Sequence, residues 1–162
     1  MRKILSYALI PLVSILCSCG GNSFPEERSG DNGDGTFTNP VLWSDCPDPD
    51  LIRVGEDFYL VTTTMHLMPG APIMHSKDLV NWEIASYIFD RIEETPCYSM
   101  EGGTVYGRGQ WATSLRYKDG RVFAYFTPND QPPKGWVYST TDPRSEKWEL
   151  YSVLPHFHDA SF

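Results

Sequence analysis

Two stretches, DPDLIRVGEDFYLVTTT at residues 48–64 and ATSLRYKDGRVFAYFTP at residues 112–128, decide the fold when laid side by side. Each reads as a first strand, a turn carrying Gly and Asp, and a second strand rich in β-branched and aromatic residues. Each then continues toward a third strand and a closing Trp, as IMHSKDLVNWE from residue 73 and WVYSTTDPRSEKWEL from residue 136. No segment beyond the N-terminal leader keeps a helical apolar period for long. A repeat of about sixty residues built from antiparallel strands fits propeller blades better than a sandwich, whose strand pairs need not resemble one another. A third copy opens at HDASF, residues 158–162, with Asp159 where Asp48 stood. The expected fold is all-β, a β-propeller of which the chain covers about two blades and the start of a third.

Outward from the first repeat lies NPVLWSDCPDPDL, residues 39–51, which sets Asp48 between Pro47 and Pro49 at the mouth of a strand. Proline fixes its own φ and disfavours the helical region for the residue before it, so Asp48 is expected in a stiff, extended backbone. Such stiffness suits a catalytic carboxylate. The competing reading is a plain turn with solvated acids, since Pro and Asp dominate turns for local reasons. The second Asp, in an equivalent setting at 159, favours the functional reading.

Residues 1–18 read as a secretory leader: Arg2 and Lys3 give a positive start, an apolar run follows from Ile4 to Leu16, and small residues close it. The run is short for a membrane-spanning helix. Leu16-Cys17-Ser18-Cys19-Gly20 resembles a bacterial lipobox, with Cys19 as the lipid-bearing residue because Leu16 and Ser18 then occupy the large apolar and small positions. The expected location is the bacterial cell envelope, on the periplasmic side or the cell surface, with the membrane as a partner through that anchor. Residues 19–38, dominated by Gly, Ser, Asn, Asp and Glu, read as a flexible tether. DNGDG at residues 31–35 has the look of a calcium loop but lacks its closing Glu.

The chain carries 21 acidic residues against 13 Lys plus Arg, and its net charge of −8 becomes −10 when Arg2 and Lys3 leave with the leader. That balance argues against nucleic acid as a partner, because phosphate backbones draw on clustered cations. With Cys17 removed and Cys19 lipidated, Cys46 and Cys97 remain, and their pairing is left open by the sequence.

Taken together, NPVL with PDPD, IRVGEDFYLVTTT, Met68-Pro69-Gly70, HSKDLVNW, GQWATSLRYKDG and HDASF resemble the N-terminal part of glycoside hydrolase family 43, over nearly all of residues 39–162. The resemblance implies a five-bladed propeller acting on xylosidic or arabinofuranosidic bonds of plant hemicellulose, with xylo- or arabino-oligosaccharide or polysaccharide as substrate and no cofactor. It implies that Asp48 is the general base, that Asp159 tunes the pKa of the general acid, and that Trp111 lines the sugar pocket. Met65 falls where the family often has Phe. Ser114 and Thr113 replace an Asp and a Pro common after the family's Trp-Ala. His66 and His158 are candidates to donate hydrogen bonds to sugar hydroxyls.

An inverting glycosidase needs a base to activate water on one face of the sugar and an acid to protonate the leaving oxygen on the other, with roughly 6.5–9.5 Å between the carboxyl groups. In the family the acid is a Glu of a later blade, and Glu93, Glu94 and Glu101 lack its context. The chain is therefore expected to be an incomplete piece, inactive alone. Two rival readings remain. His156, His158 and Asp159 could serve a metal hydrolase, or the chain could be a non-catalytic carbohydrate-binding surface lipoprotein.

Overall fold

A computed structural model describes residues 30–93, 96–129 and 134–161; the leader, Cys19, the first part of the tether and Glu94 lie outside them. Among the described residues, eight strands form two four-stranded antiparallel sheets in simple sequence order. The first holds β1 (Asp50–Val54), β2 (Asp57–Val61), β3 (Gly70–Ser76) and β4 (Glu83–Phe89). The second holds β5 (Ser114–Lys118), β6 (Arg121–Phe126), β7 (Lys134–Thr140) and β8 (Glu149–Pro155). Apart from one turn of 3-10 helix at Pro96–Ser99, no helix occurs among the described residues.

The repeat read from the sequence holds to the residue. Strands β1, β2 and β3 begin at Asp50, Asp57 and Gly70, and β5, β6 and β7 begin 64 residues later at Ser114, Arg121 and Lys134. The register breaks between Ile73 and Met74 in one sheet and between Val137 and Tyr138, again 64 residues on, in the other. Local chemistry repeats too. The Ser76 hydroxyl accepts the Asp78 N–H at 3.1 Å, and the Thr140 hydroxyl accepts the Asp142 N–H at 3.1 Å. The β5–β6 turn is Asp119-Gly120 with φ of 50° and 79°, the positive pair that a tight two-residue hairpin requires and that Asp-Gly supplies.

One apolar core joins the sheets, with Val61, Ile73, Ile88, Ile92, Leu115 and Phe126 fully buried. Phe126 is its centre, stacked 5.1 Å from Phe89 of the first sheet and edge-on to Trp136 at 5.7 Å. A buried polar link accompanies it: the Ser86 hydroxyl donates to Pro143 O at 2.7 Å and accepts the Trp148 indole N–H at 3.2 Å. A hydroxyl so placed is satisfied on both sides, which removes the cost of burying it.

Residues 30–38, assigned above to the tether, instead close on themselves and dock on the turn between β3 and β4. Asp31 pairs with Phe37, Thr38 N–H donates to Gly30 O at 2.8 Å, and the Asp31 and Asp34 carboxylates accept the N–H groups of Gly33 and Thr36. The physical reason is Asx-turn chemistry within the polar run, fixed from outside by the Asn81 amide on Asp31 at 2.9 Å.

Replacing Phe126 by Ala should lower the unfolding free energy in urea by about 3–5 kcal/mol, the usual cost of emptying a buried aromatic site. Ile84→Thr, on the exposed surface of β4, should change it by less than about 0.5 kcal/mol. A second expectation concerns acid. The Asn81 backbone N–H, the Asn81 side-chain amide and the Val80 N–H hold the Asp78 carboxyl far below the usual carboxylate range. A lowered folded-state value stabilises the fold above the unfolded value of about 3.9, and that contribution is lost as pH falls toward the folded value. The Tm deficit of Asp78→Ala measured at pH 7 should therefore shrink progressively below about pH 4.

Candidate functional site

Antiparallel pairing puts the start of β1 and the end of β2 at one end of the first sheet, since Asp50 faces Val61. The same end of the second sheet carries the start of β5 and the end of β6, where Ser114 faces Tyr125. The two first strands lie side by side. Asp50 ties them: its Oδ2 accepts the Leu115 N–H at 2.7 Å and lies 3.5 Å from the Arg116 guanidinium. Residues just outside these strand ends, Asp48, Met65, His66 and Trp111, are thereby gathered at one edge of the molecule.

Asp48 is exposed and has a φ of 49°. This corrects the extended backbone expected from its flanking prolines. The preceding-proline rule acts against the right-handed helical region, and Asp is among the few side chains that tolerate the left-handed one. The conformation is held from β2: Pro47 O accepts the Thr62 hydroxyl at 2.8 Å and the Thr63 N–H at 3.0 Å, while the Thr63 hydroxyl donates to Asp48 Oδ2 at 3.3 Å. Among the described residues that is the carboxylate's one hydrogen bond, so Oδ1 is open to solvent or ligand.

Asp159 has a φ of 48°, matching Asp48, in support of the equivalence read from the sequence. Its segment returns from β8 and is pinned beside β5, where the Ser161 hydroxyl meets the Arg116 guanidinium at 2.6 Å and the Ser114 hydroxyl at 3.5 Å. Upstream, the Tyr125 hydroxyl both accepts the Phe157 N–H and donates to Phe157 O, each at 3.1 Å. The Asp159 side chain is 71% exposed and lies 3.4 Å from His158 Nε2, and the His158 ring stacks on His156. No hydrogen bond or ion pair joins Asp159 to Asp48 among the described residues. Nor do three of His, Cys, Asp and Glu gather there closely enough to share a metal ion.

His66 is half-buried, and its Nδ1 accepts the Gly107 N–H at 3.2 Å, which leaves Nε2 as the protonated, donating nitrogen. Tyr106, an exposed ring of the connecting loop, tilts over it at 4.9 Å. Trp111 and Met65 are each more than a third exposed. Cys46 and Cys97 are unpaired, and burial pushes the Cys46 thiol up.

Two features escaped sequence reading. The threonines at the end of β2 hold the Asp48 loop, and Gln110, wholly buried, is the hub of hydrogen bonds between the sheets. Gln110 sits inside the quoted GQWATSL run, yet nothing local marks a Gln as buried. Grooves of about 530 and 510 Å³ lie elsewhere, one beside Leu42 and Trp82, the other an apolar face around Phe123 and Tyr151. Asp48 and Trp111 themselves are exposed.

The family model described as Glycosyl hydrolases family 43 matches residues 37–155. A beta-xylosidase of Formosa agariphila is 35% identical over 131 residues, covering 72% of this chain and 22% of that protein. A non-reducing end alpha-L-arabinofuranosidase of Bacteroides ovatus is 44% identical over 92 residues, or 57% and 17% of the respective lengths. Among solved structures, a bifunctional GH43-CE protein of Bacteroides eggerthii superimposes with a TM-score of 0.68 at 39% identity, covering 77% of this chain and 18% of that one. A xylan beta-1,4-xylosidase of Bacillus halodurans gives 0.58 at 28% identity, with 69% and 22% covered. The chain thus spans about a fifth of the length of the curated relatives it matches.

The edge depends on a close backbone approach at Gly109, which has a φ of 103° and where a Cβ would overlap the Met65 carbonyl. Gly109→Ala should break the reciprocal Met65–Gln110 hydrogen bonds of 2.9 and 3.0 Å. Amide hydrogen exchange should then quicken at Met65 and Gln110 while the β6–β7 ladder stays protected.

Proposed function

The chain belongs to glycosyl hydrolases family 43, and from that membership we propose that it carries the base-bearing part of a pentosidase acting on xylosidic or arabinofuranosidic bonds of plant hemicellulose with inversion of configuration. The observation that carries the reading is Asp48 itself. It is an exposed carboxylate in a left-handed backbone, fixed by Thr62 and Thr63, with one oxygen uncommitted and Trp111 at the same edge.

In this reading a water rests on Asp48 Oδ1. As its oxygen attacks the anomeric carbon, its proton passes to the carboxylate, the glycosidic bond breaks, and the leaving oxygen takes a proton from a second carboxyl group. Neither Glu93 nor Glu101 is assigned that second role. Asp159, by like-charge repulsion, raises the affinity of that donor for its proton. Trp111 offers an aromatic face to the sugar ring. The fold is read as part of a five-bladed propeller, in which inner strands equivalent to β1 and β5 converge around one axis.

In a chain extended to the length of its relatives, Asp48→Ala should lower kcat on aryl xylosides or arabinofuranosides by about 10²–10⁴, the usual worth of a positioned base. Its melting should stay close to that of the parent. Proton NMR of the first-formed product should show the inverted anomer, and retention would exclude Asp48 as a water-activating base. Sugar binding without turnover by the extended parent would favour a binding module instead.

A further inference from the structure

Gln110 is fully buried, and both ends of its carboxamide are committed. Oε1 accepts the Thr64 N–H at 2.7 Å and the Thr64 hydroxyl at 3.0 Å. Nε2 donates to Trp111 O at 2.7 Å and to the Thr113 hydroxyl at 2.7 Å, with Thr62 O a longer third partner at 3.3 Å. The orientation is fixed chemically, because a backbone N–H can only donate and a backbone carbonyl can only accept. A polar group this deep would be costly if any partner were lost.

The identity of those partners matters more than their number. Thr62 is the residue whose hydroxyl holds Pro47 O, and its neighbour Thr63 holds both Pro47 O and the Asp48 carboxylate. Trp111 is the candidate sugar platform, and Thr64 precedes Met65 and His66. A run of hydrogen bonds and chain neighbours therefore leads from Asp48 through Thr63 and Thr62 to the Gln110 amide, and from there to Trp111. Backbone pairing between Met65 and Gln110 already joins the two sheets. The side chain adds bonds that this ladder does not make, to Thr62 on the base side and to Trp111 on the platform side.

We propose that Gln110 is a positioning residue that sets the Trp111 ring relative to the Asp48 carboxylate, and with it the place of the sugar's anomeric carbon over the base. The inference rests on the reading of Asp48 as base and Trp111 as platform. Gln110 touches no substrate. It acts through the main chain of Thr62 and Trp111, and a misplacement of about 1 Å at such a site can cost roughly 100-fold in rate.

The test compares Gln110→Glu and Gln110→Met in the 162-residue chain labelled with 5-fluorotryptophan, the Trp111 fluorine resonance being assigned through Trp111→Phe. At neutral pH both variants should displace or broaden that resonance. A carboxylate turns an oxygen toward the carbonyls of Thr62 and Trp111, and a thioether leaves both without a donor. On acidification the Gln110→Glu resonance should return toward the parent position, because a protonated carboxyl group again offers a hydrogen to Trp111 O. Gln110→Met should show no such return, and the parent should not shift over the same range. A general loss of stability would not produce a recovery specific to one variant.

In the extended chain, both variants should lose about 100-fold in kcat/KM on aryl pentosides, mostly in kcat. An unmoved Trp111 resonance in both variants, whatever their Tm, would overturn the proposal and leave Gln110 as a cross-brace. Should the charged variant fail to fold, the Gln110→Met resonance decides alone. A parent without turnover on any pentoside would count against the pentosidase reading, while the fluorine spectra would still judge Gln110.

Discussion

The contact on which the arrangement depends is the Asp50 carboxylate on the Leu115 N–H at 2.7 Å. β1 and β5 are the first strands of separate sheets, lie side by side and do not pair with each other. A buried backbone donor left unpaired is expensive. Asp50 meets that need with a side chain, and by doing so fixes the offset of one first strand against the next. The Arg116 guanidinium lies against the same carboxylate and reaches onward to the Ser161 hydroxyl, at the position that Asp50 and Ser114 hold in the two repeats. The convergence of strand ends follows from these side-chain contacts between sheets as much as from the core beneath them.

The repeat is close in backbone and unequal in chemistry. Strand starts, register breaks and the polar turns at Asp78 and Asp142 recur at matching places, because each serves the local geometry of a four-stranded sheet. At the position before the first strand, by contrast, the first unit has Asp48, the second has Ala112 and the returning segment has Asp159. The scaffold thus delivers equivalent positions to one edge, and the sequence places carboxylates at only some of them. In the proposed pentosidase reading, a symmetric frame with asymmetric side chains suits acid–base chemistry on one bond, since the groups flanking that bond do different work.

What was legible in the sequence was whatever local pattern controls. β-Branched and aromatic runs bounded by turns carrying Gly and Asp gave the strands and their turns, and self-similarity gave the two sheets. The PDPD run pointed to Asp48 but not to its backbone, because proline neighbours restrict conformations without choosing the left-handed one. Residues 30–38 looked like tether because their composition is polar, and their docking depends on Asn81, fifty residues away. Gln110 was invisible for a related reason: burial of a polar side chain is set by partners that only tertiary structure supplies, here Thr62 and Thr64 from the other sheet.

The same distinction locates the origin of the site. A non-glycine residue with a positive φ persists only where its surroundings over-determine it. For Asp48 those surroundings are two hydrogen bonds on Pro47 O and one on its own carboxylate, all from Thr62 and Thr63. These threonines are buried, immediately follow β2, and are tied through Gln110 to the second sheet. The Asp48 carboxylate is thus oriented by the strand end behind it rather than by the prolines around it. Substitutions at those threonines would move the Asp48 carboxylate without touching an acid.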